Sequence, residues 1–523
     1  MIRHGRDTPL RRRTGAAISF AAAFLGLASA QEESSRADFH AIEQSIEAGD
    51  FEGASRAIAD WKKSPSPSPE TLAKILNLEG TLEFTRVNTE ASLAAFSEAL
   101  KLEISAPLRT DLLYNAALVA GLSDQTEAYQ SYSTQLSEAA GPNSNLPGDL
   151  ALERGLTEAS RSSALAFETL ETFLHRFPDH PRVADAEISL AELYLIQVPP
   201  QPVAARDHID AARARQLTLN QREWLDDVAI WVEVAAQDPT AAIQRSDQFL
   251  EDWPQSKRRP EVLMVLGENH FRIEDYANAM MQFEQVATEF PDSPLAETGL
   301  FFAAKSASLT LLSENQNKAI ALWTVVADRG GPLAAPARHE IGLLELNRDD
   351  FDAAIAAFDV VAAYPGTDPQ LRIAALADRG EALFAKSSAA ANDPITLQAA
   401  QEAFAQIQAD PAATKSWRLQ AAVWEGKCLE ALGRTEDAMK LYASVLQDSI
   451  PAGPVAAVPV AEFDWYFRAG LAAIRLLQRQ DKWREAVEIA DQVAQTGGPR
   501  ATEAAQIGEK LRLRHFIWQD PAN

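Results

Sequence analysis

Residues 260–294 read PEVLMVLGENHFRIEDYANAMMQFEQVATEFPDSP, and this stretch decides the fold. Apolar or small residues in its first half recur at spacings of i, i+3, i+4 and i+8, at Leu263, Leu266, Gly267 and Phe271. That spacing places them on one face of an α-helix. The first half of the stretch is therefore predicted to be an amphipathic helix.

A second helix is predicted in the other half of the stretch. Ala279, Phe283 and Val286 repeat at helical spacing after a short turn. Pro291 lacks the backbone N–H that would continue this helix, so the helix is expected to end before it. Because Gly267 and Ala279 have little or no side chain, the two helix axes can lie near the lower end of the usual range of roughly 8–10 Å. The stretch predicts a closely packed helical hairpin.

The column that begins at Ala279 recurs along the chain. At twelve places a small residue is followed, four and seven positions later, by mostly large or apolar residues, with steps of 35 to 48 residues between copies. The small residues are Ala54, Ser92, Ala128, Ala166, Ala205, Ala242, Ala279, Ala319, Ala354, Ala400, Ala438 and Ala486. The Ala128 copy is degenerate, because Gln135 occupies its third position. One hairpin cannot bury both its faces, so stacked copies are expected. The sequence predicts an all-α solenoid of about twelve hairpins.

These residues resemble the tetratricopeptide repeat (TPR) family. The family's spacing of glycine, alanine and aromatic residue is matched by Gly267, Ala279 and Phe283, by Gly342, Ala354 and Phe358, and by Gly426, Ala438 and Tyr442. The resemblance covers residues 38–496. It implies paired antiparallel helices in a right-handed superhelix with a concave groove. The sequence FPDSP at residues 290–294 is similar to the repeats of exported bacterial cell-envelope TPR proteins, of the Tol-Pal-associated and outer-membrane-assembly types.

The first 30 residues have the pattern of a signal peptide. A basic segment with five arginines precedes a 13-residue apolar run at positions 15–27 and a small-residue cleavage site at Ala28–Ala30. Thirteen residues are too few to cross a bilayer, which needs about 20. We therefore expect export to a bacterial periplasm. The general secretory route fits best, and the arginine run leaves a twin-arginine route open.

Turn-rich segments suggest the boundaries of the domains. The prediction is a signal peptide over residues 1–30, N-terminal TPR-like units over 31–140, and a candidate hinge loop over 141–148. The main solenoid then covers 149–498, and a C-terminal capping helix and tail cover 499–523. Insertions at 387–394 and 449–459 account for the two longest steps between copies.

Charge narrows the choice of partners. The chain has a net charge of −26, and removing the leader, with its five arginines and one aspartate, leaves −30. Nucleic acids and anionic membranes would repel such a surface. We therefore expect neither nucleic-acid binding nor, since no other apolar run has the length, a membrane span.

Motifs for catalysis or cofactor binding are absent from the sequence, which contains no HExxH, GxxxxGK[ST], GxSxG, GxGxxG or CxxC. No catalytic, cofactor-binding or metal-binding residue is predicted, and the protein is not expected to be an enzyme. A two-histidine metal site at His175 and His180 is a weak alternative to ordinary turn residues. The single cysteine, Cys428, is expected to be a buried structural thiol, with a reactive or intermolecular role as the alternative.

Three functions are compatible with a solenoid of this kind. The favoured one is an exported, periplasmic scaffold that binds protein partners of the cell envelope, with self-association left open. A second is a glycan- or peptidoglycan-binding solenoid, which a row of exposed tryptophans would favour. A third is an enzyme built on a helical superhelix, as in lytic transglycosylases, although no segment outside the repeats is long enough for a catalytic domain.

The resemblance also implies where a partner would bind, because the first helix of each TPR unit lines the groove. Carried onto this sequence, the groove positions include Glu261, Met264, Glu268, Phe271, Arg272, His339, Leu343, Asn347, Lys427 and Glu430. The geometry agrees for Glu268 and Arg272, whose i, i+4 spacing puts them on a face other than that of Leu263 and Leu266. The alternative is an ordinary solvated ion pair.

Overall fold

A computed structural model describes residues 30–63, 67–310, 312–448, 460–497 and 500–517. The predicted leader, apart from Ala30, and the predicted insertion at 449–459 lie outside these residues. The described residues form 25 α-helices and contain no β-strand, so the prediction of an all-α chain is confirmed. The chain divides into two compact units, Met1–Ser256 (unit 1) and Lys257–Asn523 (unit 2).

Unit 1 contains twelve helices among its described residues. They are α1 (Ala30–Glu47), α2 (Phe51–Lys62), α3 (Pro69–Thr85), α4 (Thr89–Leu100), α5 (Ala106–Leu122), α6 (Thr126–Ala139), α7 (Leu146–Ser160), α8 (Ala166–Arg176), α9 (Val183–Ile196), α10 (Pro202–Arg213), α11 (Leu219–Ala235) and α12 (Pro239–Asp252).

Unit 2 contains thirteen helices among its described residues. They are α13 (Arg259–Arg272), α14 (Tyr276–Glu289), α15 (Ala296–Leu309), α16 (Ser313–Asp328), α17 (Ala334–Asn347), α18 (Phe351–Ala363), α19 (Pro369–Ala389), α20 (Pro394–Ala409), α21 (Lys415–Ala431), α22 (Thr435–Asp448), α23 (Val460–Arg479), α24 (Trp483–Gln495) and α25 (Ala501–His515).

The predicted small-residue column lies in the core. Eleven of its twelve residues are fully buried, and every one of the twelve lies on an even-numbered helix. The exception is Ala128 on α6, which is only half-buried, while Tyr132 is half-buried and Gln135 exposed. The repeat pattern is therefore confirmed as a pattern of helical hairpins, and its degenerate copy is also the irregular one in the structure.

Glycines on odd-numbered helices make room for the aromatic rings of the even-numbered helices. A Cβ atom placed on Gly267 would lie 2.7 Å from Cε1 of Phe283, closer than non-bonded carbon atoms approach. On Gly342 it would lie 2.6 Å from Cε1 of Phe358. The aromatic side chain thus packs directly against the backbone of the first helix, which holds the hairpin closed.

Eight of the described turns from an odd-numbered to an even-numbered helix share one backbone conformation. A single residue with φ between 58° and 80° precedes the N-cap position of the next helix, at Gly49, Val87, Asp124, Gln237, Glu274, Asp349, Gly433 and Asp481. The α19–α20 turn differs because two successive residues, Ala391 and Asn392, have positive φ. In the α13–α14 turn the Glu274 N–H donates to the Phe271 carbonyl, and the Asp275 N–H donates to the His270 carbonyl. This pattern ends a helix by satisfying its last carbonyl groups. Asp275 then caps α14, since its carboxylate accepts from the Asn278 N–H.

Consecutive helices pack together within each unit, and the odd-numbered helices also contact one another. In unit 1 these alternate contacts join α1, α3, α5, α7, α9 and α11 in succession, and in unit 2 they join α15, α17, α19, α21 and α23. The odd-numbered helices of each series therefore share one continuous surface, which we call the odd-helix face.

Two irregular segments differ in detail from the sequence expectation. Half of the predicted insertion at 387–394 is helical, because α19 extends to Ala389 and α20 begins at Pro394, and residues 390–393 form the turn between them. The candidate hinge loop at 141–148 overlaps α7, which begins at Leu146. The domain boundaries proposed from sequence stay a prediction.

Candidate functional site

The odd-helix face of unit 2 carries polar side chains that link neighbouring odd-numbered helices. Lys305 on α15 donates to Glu340 on α17 over 2.6 Å. His339 on α17 lies 2.7 Å from the carboxylate of Asp378 on α19. These contacts show that residues about 35 positions apart in sequence meet on one surface, so a ligand on this face could touch several hairpins at once.

Three cations extend this face over α21 and α23, and we call Lys427, Arg468 and Arg475 the cationic row. Lys427 is half-buried, and its ammonium group lies 3.5 Å from the ring centroid of Trp424. Burial lowers the pKa of Lys427, and the positive charges of Arg468 and Arg475 lower it further. The surroundings of this ammonium group therefore favour the arrival of negative charge.

A carboxylate on the neighbouring helix opposes the cationic row only in part. The charge of Glu381 on α19 acts to raise the pKa of Lys427. Burial raises the pKa of Glu381 itself, and the negative charge of Asp378 adds to that effect. The Gln420 amide donates to Glu381 over 3.4 Å. The site is thus a mixed-charge surface.

The five predicted groove residues on α13 divide into two kinds. Arg272 donates to Glu268 over 3.0 Å, and both side chains are about half exposed. Met264 and Phe271 instead pack against the buried cluster around Phe283, so they serve the core as well as the surface. Glu261 is half-buried at the start of the helix. The solvent-facing part of this segment is therefore the Glu268–Arg272 pair.

The predicted groove residues on α17 have different surroundings. His339 is engaged by Asp378 and packs on the Phe358 ring, with centroids 5.5 Å apart. Leu343 is half-buried against the cluster that contains Phe358. Asn347 is exposed at the end of the helix. Of these three, Asn347 has the most open access to solvent.

The two predicted groove residues on α21 also differ from each other. Lys427 belongs to the cationic row. Glu430 accepts a hydrogen bond from the Tyr442 hydroxyl over 2.6 Å and forms an ion pair with Arg479. That hydrogen bond and burial raise the pKa of Tyr442. Glu430 therefore fastens α21 to its neighbours, whereas Lys427 has no such partner. The role of all ten predicted residues in partner binding stays a prediction.

Sequence reasoning missed Glu381 because an insertion shifts α19 relative to the repeat. It missed Arg468 and Arg475 because Ile474 stands where a glycine would have marked α23. Gly380 precedes its aromatic partner Phe404 by 24 residues, where Gly267 precedes Phe283 by 16. A fixed spacing between glycine and aromatic residue therefore does not find α19. Counting separately from each aromatic residue back to the nearest glycine would have found Gly380.

Other candidate sites carry less chemistry. Cys428 is fully buried, and burial raises the pKa of its thiol to about 12, which keeps the thiol protonated and unreactive. Among the described residues no three His, Cys, Asp or Glu side chains are grouped as a metal site. Trp231, at 36% exposure, is the most exposed tryptophan in the described ranges, so these ranges hold no row of exposed tryptophans.

No helix in the described part of the chain combines the length and the apolar character needed to cross a membrane.

Comparison with solved structures gives similarity at low identity. The yeast Tom70 crystal structure matches with a TM-score of 0.30 and 13% identity, covering 94% of this chain and 98% of that one. The crystal structure of the APC/C hetero-tetramer Cut9-Hcn1 matches with a TM-score of 0.30 and 11% identity, covering 91% of this chain and 84% of that one. The crystal structure of the apo form of RapI matches with a TM-score of 0.37 and 10% identity, covering 77% of this chain and 98% of that one. At these TM-scores the similarity supports no conclusion about function. A search of curated proteins found no match to the sequence.

The family comparison matches the helical hairpin predicted from residues 260–294. Residues 261–293 fit the family model described as the tetratricopeptide repeat. This segment comprises α13, the shared turn and α14, with the Gly267–Phe283 contact at its centre. The same buried columns recur in the other hairpins. The chain is thus a helical-repeat protein that carries a tetratricopeptide repeat.

Proposed function

We propose that this protein is an exported, periplasmic scaffold that binds other proteins of the cell envelope through its odd-helix face and serves envelope assembly or maintenance. The observation that carries the proposal is the unbroken series of contacts over α15, α17, α19, α21 and α23, in which side-chain hydrogen bonds join α15 to α17 and α17 to α19. Repeat solenoids use such extended surfaces for binding. Export is inferred from the leader sequence, and the cell-envelope role from the FPDSP-type repeat.

The Glu268–Arg272 pair tests whether binding extends to α13, the odd-numbered helix that precedes the α15–α23 series. Its two side chains are exposed, and an i, i+4 pair contributes only about 0.2–0.5 kcal/mol to helix stability. Exchanging the charges with Glu268→Lys and Arg272→Glu should therefore leave the fold intact. If a partner contacts this pair, the exchange should abolish capture of that partner.

The experiment uses mature protein carrying an affinity tag, cross-linked in envelope extract, with captured proteins identified by mass spectrometry. The matched control is Asp437→Lys with Lys440→Glu, which exchanges an exposed ion pair at 3.0 Å on the even-numbered helix α22. We expect the control to capture the same partner as the native chain. Equal capture by the α13 variant would place the binding site elsewhere.

Export has its own test. Mass spectrometry of the natively expressed protein should find an N-terminus at or near Gln31 in the periplasmic fraction. An intact Met1 in the cytoplasmic fraction would contradict export, and with it the role in the cell envelope.

A further inference from the structure

The cationic row is an exception in a chain with a net charge of −26. Arg468 is paired, because it donates to Asp464 over 2.6 Å and lies over the Trp465 ring. Lys427 and Arg475 differ from it: within the described residues, neither has a carboxylate at ion-pair distance. Among the described residues the row therefore presents two cations that have no ion-pair partner, on neighbouring helices.

We propose that Lys427 and Arg475 bind the side-chain carboxylates of an acidic segment in a protein partner. This inference rests on the proposed scaffold function and assigns the kind of segment that the α21–α23 part of the odd-helix face accepts.

The surrounding carboxylates are engaged elsewhere and leave this pair available. Asp378 is held by His339, and Glu430 by Tyr442 and Arg479. Glu381 is the carboxylate whose charge acts on Lys427, yet it forms no ion pair with it. A second carboxylate brought by a ligand would compensate charge that the protein leaves unmatched.

The half-buried state of Lys427 makes that compensation favourable. An ammonium group that has lost part of its hydration gains more from a carboxylate partner than an exposed one does. The depressed pKa of Lys427 agrees with this view, since it reports an environment that disfavours positive charge. The Trp424 ring beneath the ammonium compensates only in part, as cation–π contacts do.

The geometry favours an extended segment with acidic residues at alternate positions. Because α21 and α23 are in contact, their axes are expected to lie roughly 8–10 Å apart. Lys427 and Arg475 occupy corresponding positions in their hairpins. Lys427 follows Gly426, which packs against α22, and Arg475 follows Ile474, which packs against α24. In an extended chain, side chains at i and i+2 point the same way and are separated by about 6.6 Å. Two such carboxylates could reach both cations together.

The test measures binding of a fluorescent ten-residue peptide, (Glu-Ser)5, blocked at both ends, to the full mature chain by fluorescence anisotropy. The comparison peptides are (Gln-Ser)5 and (Lys-Ser)5 of the same design. We expect binding of the glutamate peptide alone, weaker at high salt because exposed charges are screened. Since most of the chain is acidic and repels this peptide, binding would report a local cationic site.

Variants assign the binding to the proposed residues. Lys427→Gln with Arg475→Gln should weaken binding by at least about tenfold, because each charged hydrogen bond contributes substantially. Glu381→Gln should strengthen binding, because it removes the competing carboxylate. The matched control, Lys482→Gln with Arg484→Gln, removes two exposed cations at the start of the even-numbered helix α24, one from its N-cap and one from its first turn, and should change nothing. Thermal melts of all three variants check that they fold.

Several results would overturn the inference. These are failure of the glutamate peptide to bind, equal weakening by the α24 control, or no strengthening by Glu381→Gln. Binding only of a peptide with a free C-terminus would mean that a terminal carboxylate is recognised instead. Self-association that is lost in the Lys427→Gln, Arg475→Gln variant would identify a second copy as the occupant. If this variant captures the partner found with the native chain equally well, the acidic-segment inference fails while the scaffold function stands.

Discussion

The α13–α14 hairpin of unit 2 and the α5–α6 hairpin of unit 1 share a turn conformation but not a core. In the first, Ala279, Phe283 and Val286 are all buried, and the Phe283 ring lies on Gly267. In the second, the corresponding positions of α6 are half-buried or exposed, and Leu136 is its one fully buried side chain. The turn is therefore not enough to close a hairpin tightly. Tight packing also requires a large side chain in contact with a glycine, as Phe283 is with Gly267.

The largest expected difference between the two hairpins comes from removing the ring. Phe283→Ala should destabilise unit 2 by about 3–5 kcal/mol, as truncation of a buried phenylalanine does. Tyr132→Ala, at the matched but half-buried position of α6, should cost only about 1 kcal/mol. Urea unfolding of the two variants, followed by circular dichroism, measures both effects.

Hydrogen exchange shows which helices lose stability in the Phe283→Ala variant. Because repeat stability depends mainly on nearest neighbours, protection should fall in α13, α14 and the helices beside them. Equal destabilisation by the two substitutions, or a uniform loss of protection along the chain, would contradict the proposed difference in packing between the two hairpins.

A smaller difference is expected from the glycine side of the contact. Gly267→Ala would place its Cβ 2.7 Å from Phe283. This overpacking should cost about 1–3 kcal/mol, offset in part by up to about 1 kcal/mol of helix propensity. Gly121→Ala on α5 would approach Tyr129 at 3.0 Å, but that ring is half-buried and can move aside. Its effect on the melting temperature should be close to zero. A larger loss from Gly121→Ala than from Gly267→Ala would reverse the comparison.

The smallest expected effect is the dependence of stability on pH, which has opposite signs for a carboxylate in each of the two hairpins. Burial raises the pKa of Asp111 on α5 from 3.8 to about 6. The folded state therefore holds this proton more tightly, and stability rises as pH falls from about 6 to about 4. Asp111→Asn should stabilise the protein at pH 7 by roughly 1 kcal/mol, a value reduced for partial exposure, and should have little effect at pH 4. Thermal melts at the two pH values check this.

Asp275 in the α13–α14 turn provides the opposite case. Its hydrogen bonds with Asn278 lower its pKa below 3.8. It therefore contributes stability above about pH 4 that is lost as pH falls further. Asp275→Asn should weaken unit 2 at pH 7, and this loss should become smaller as pH falls below about 4. If both substitutions shift the melting temperature in the same direction at pH 7, the proposed difference between the two hairpins is wrong.

The sequence was sufficient for the hairpins because their packing is local. Ala279, Phe283 and Gly267 lie within 17 residues of one another, so helical spacing alone predicts that they meet. The irregular hairpin was also visible, since Gln135 stands where an apolar residue is expected. The predicted burial of Cys428 is confirmed for the same reason, because it follows from the apolar surroundings of its own helix.

The candidate site was harder to predict because its contacts join different hairpins. The pairing of His339 with Asp378 depends on how two helices are set side by side, which no spacing within one repeat specifies. Arg475 was missed because Ile474, and not a glycine, precedes it, so the glycine that marks α13, α17 and α21 is absent at that position of α23. Lys427 was predicted, but the absence of a carboxylate partner beside it could be seen only from the structure.

The turn shared by eight hairpins has an evolutionary consequence. Residues as different as Gly, Val, Gln, Glu and Asp occupy its left-handed position, so the turn tolerates wide divergence in sequence. A gene duplication or deletion with its ends at two such turns would add or remove whole helices and leave the remaining ones intact. The number of hairpins, and with it the length of surface offered to a partner, can then change by recombination without redesign of any single interface.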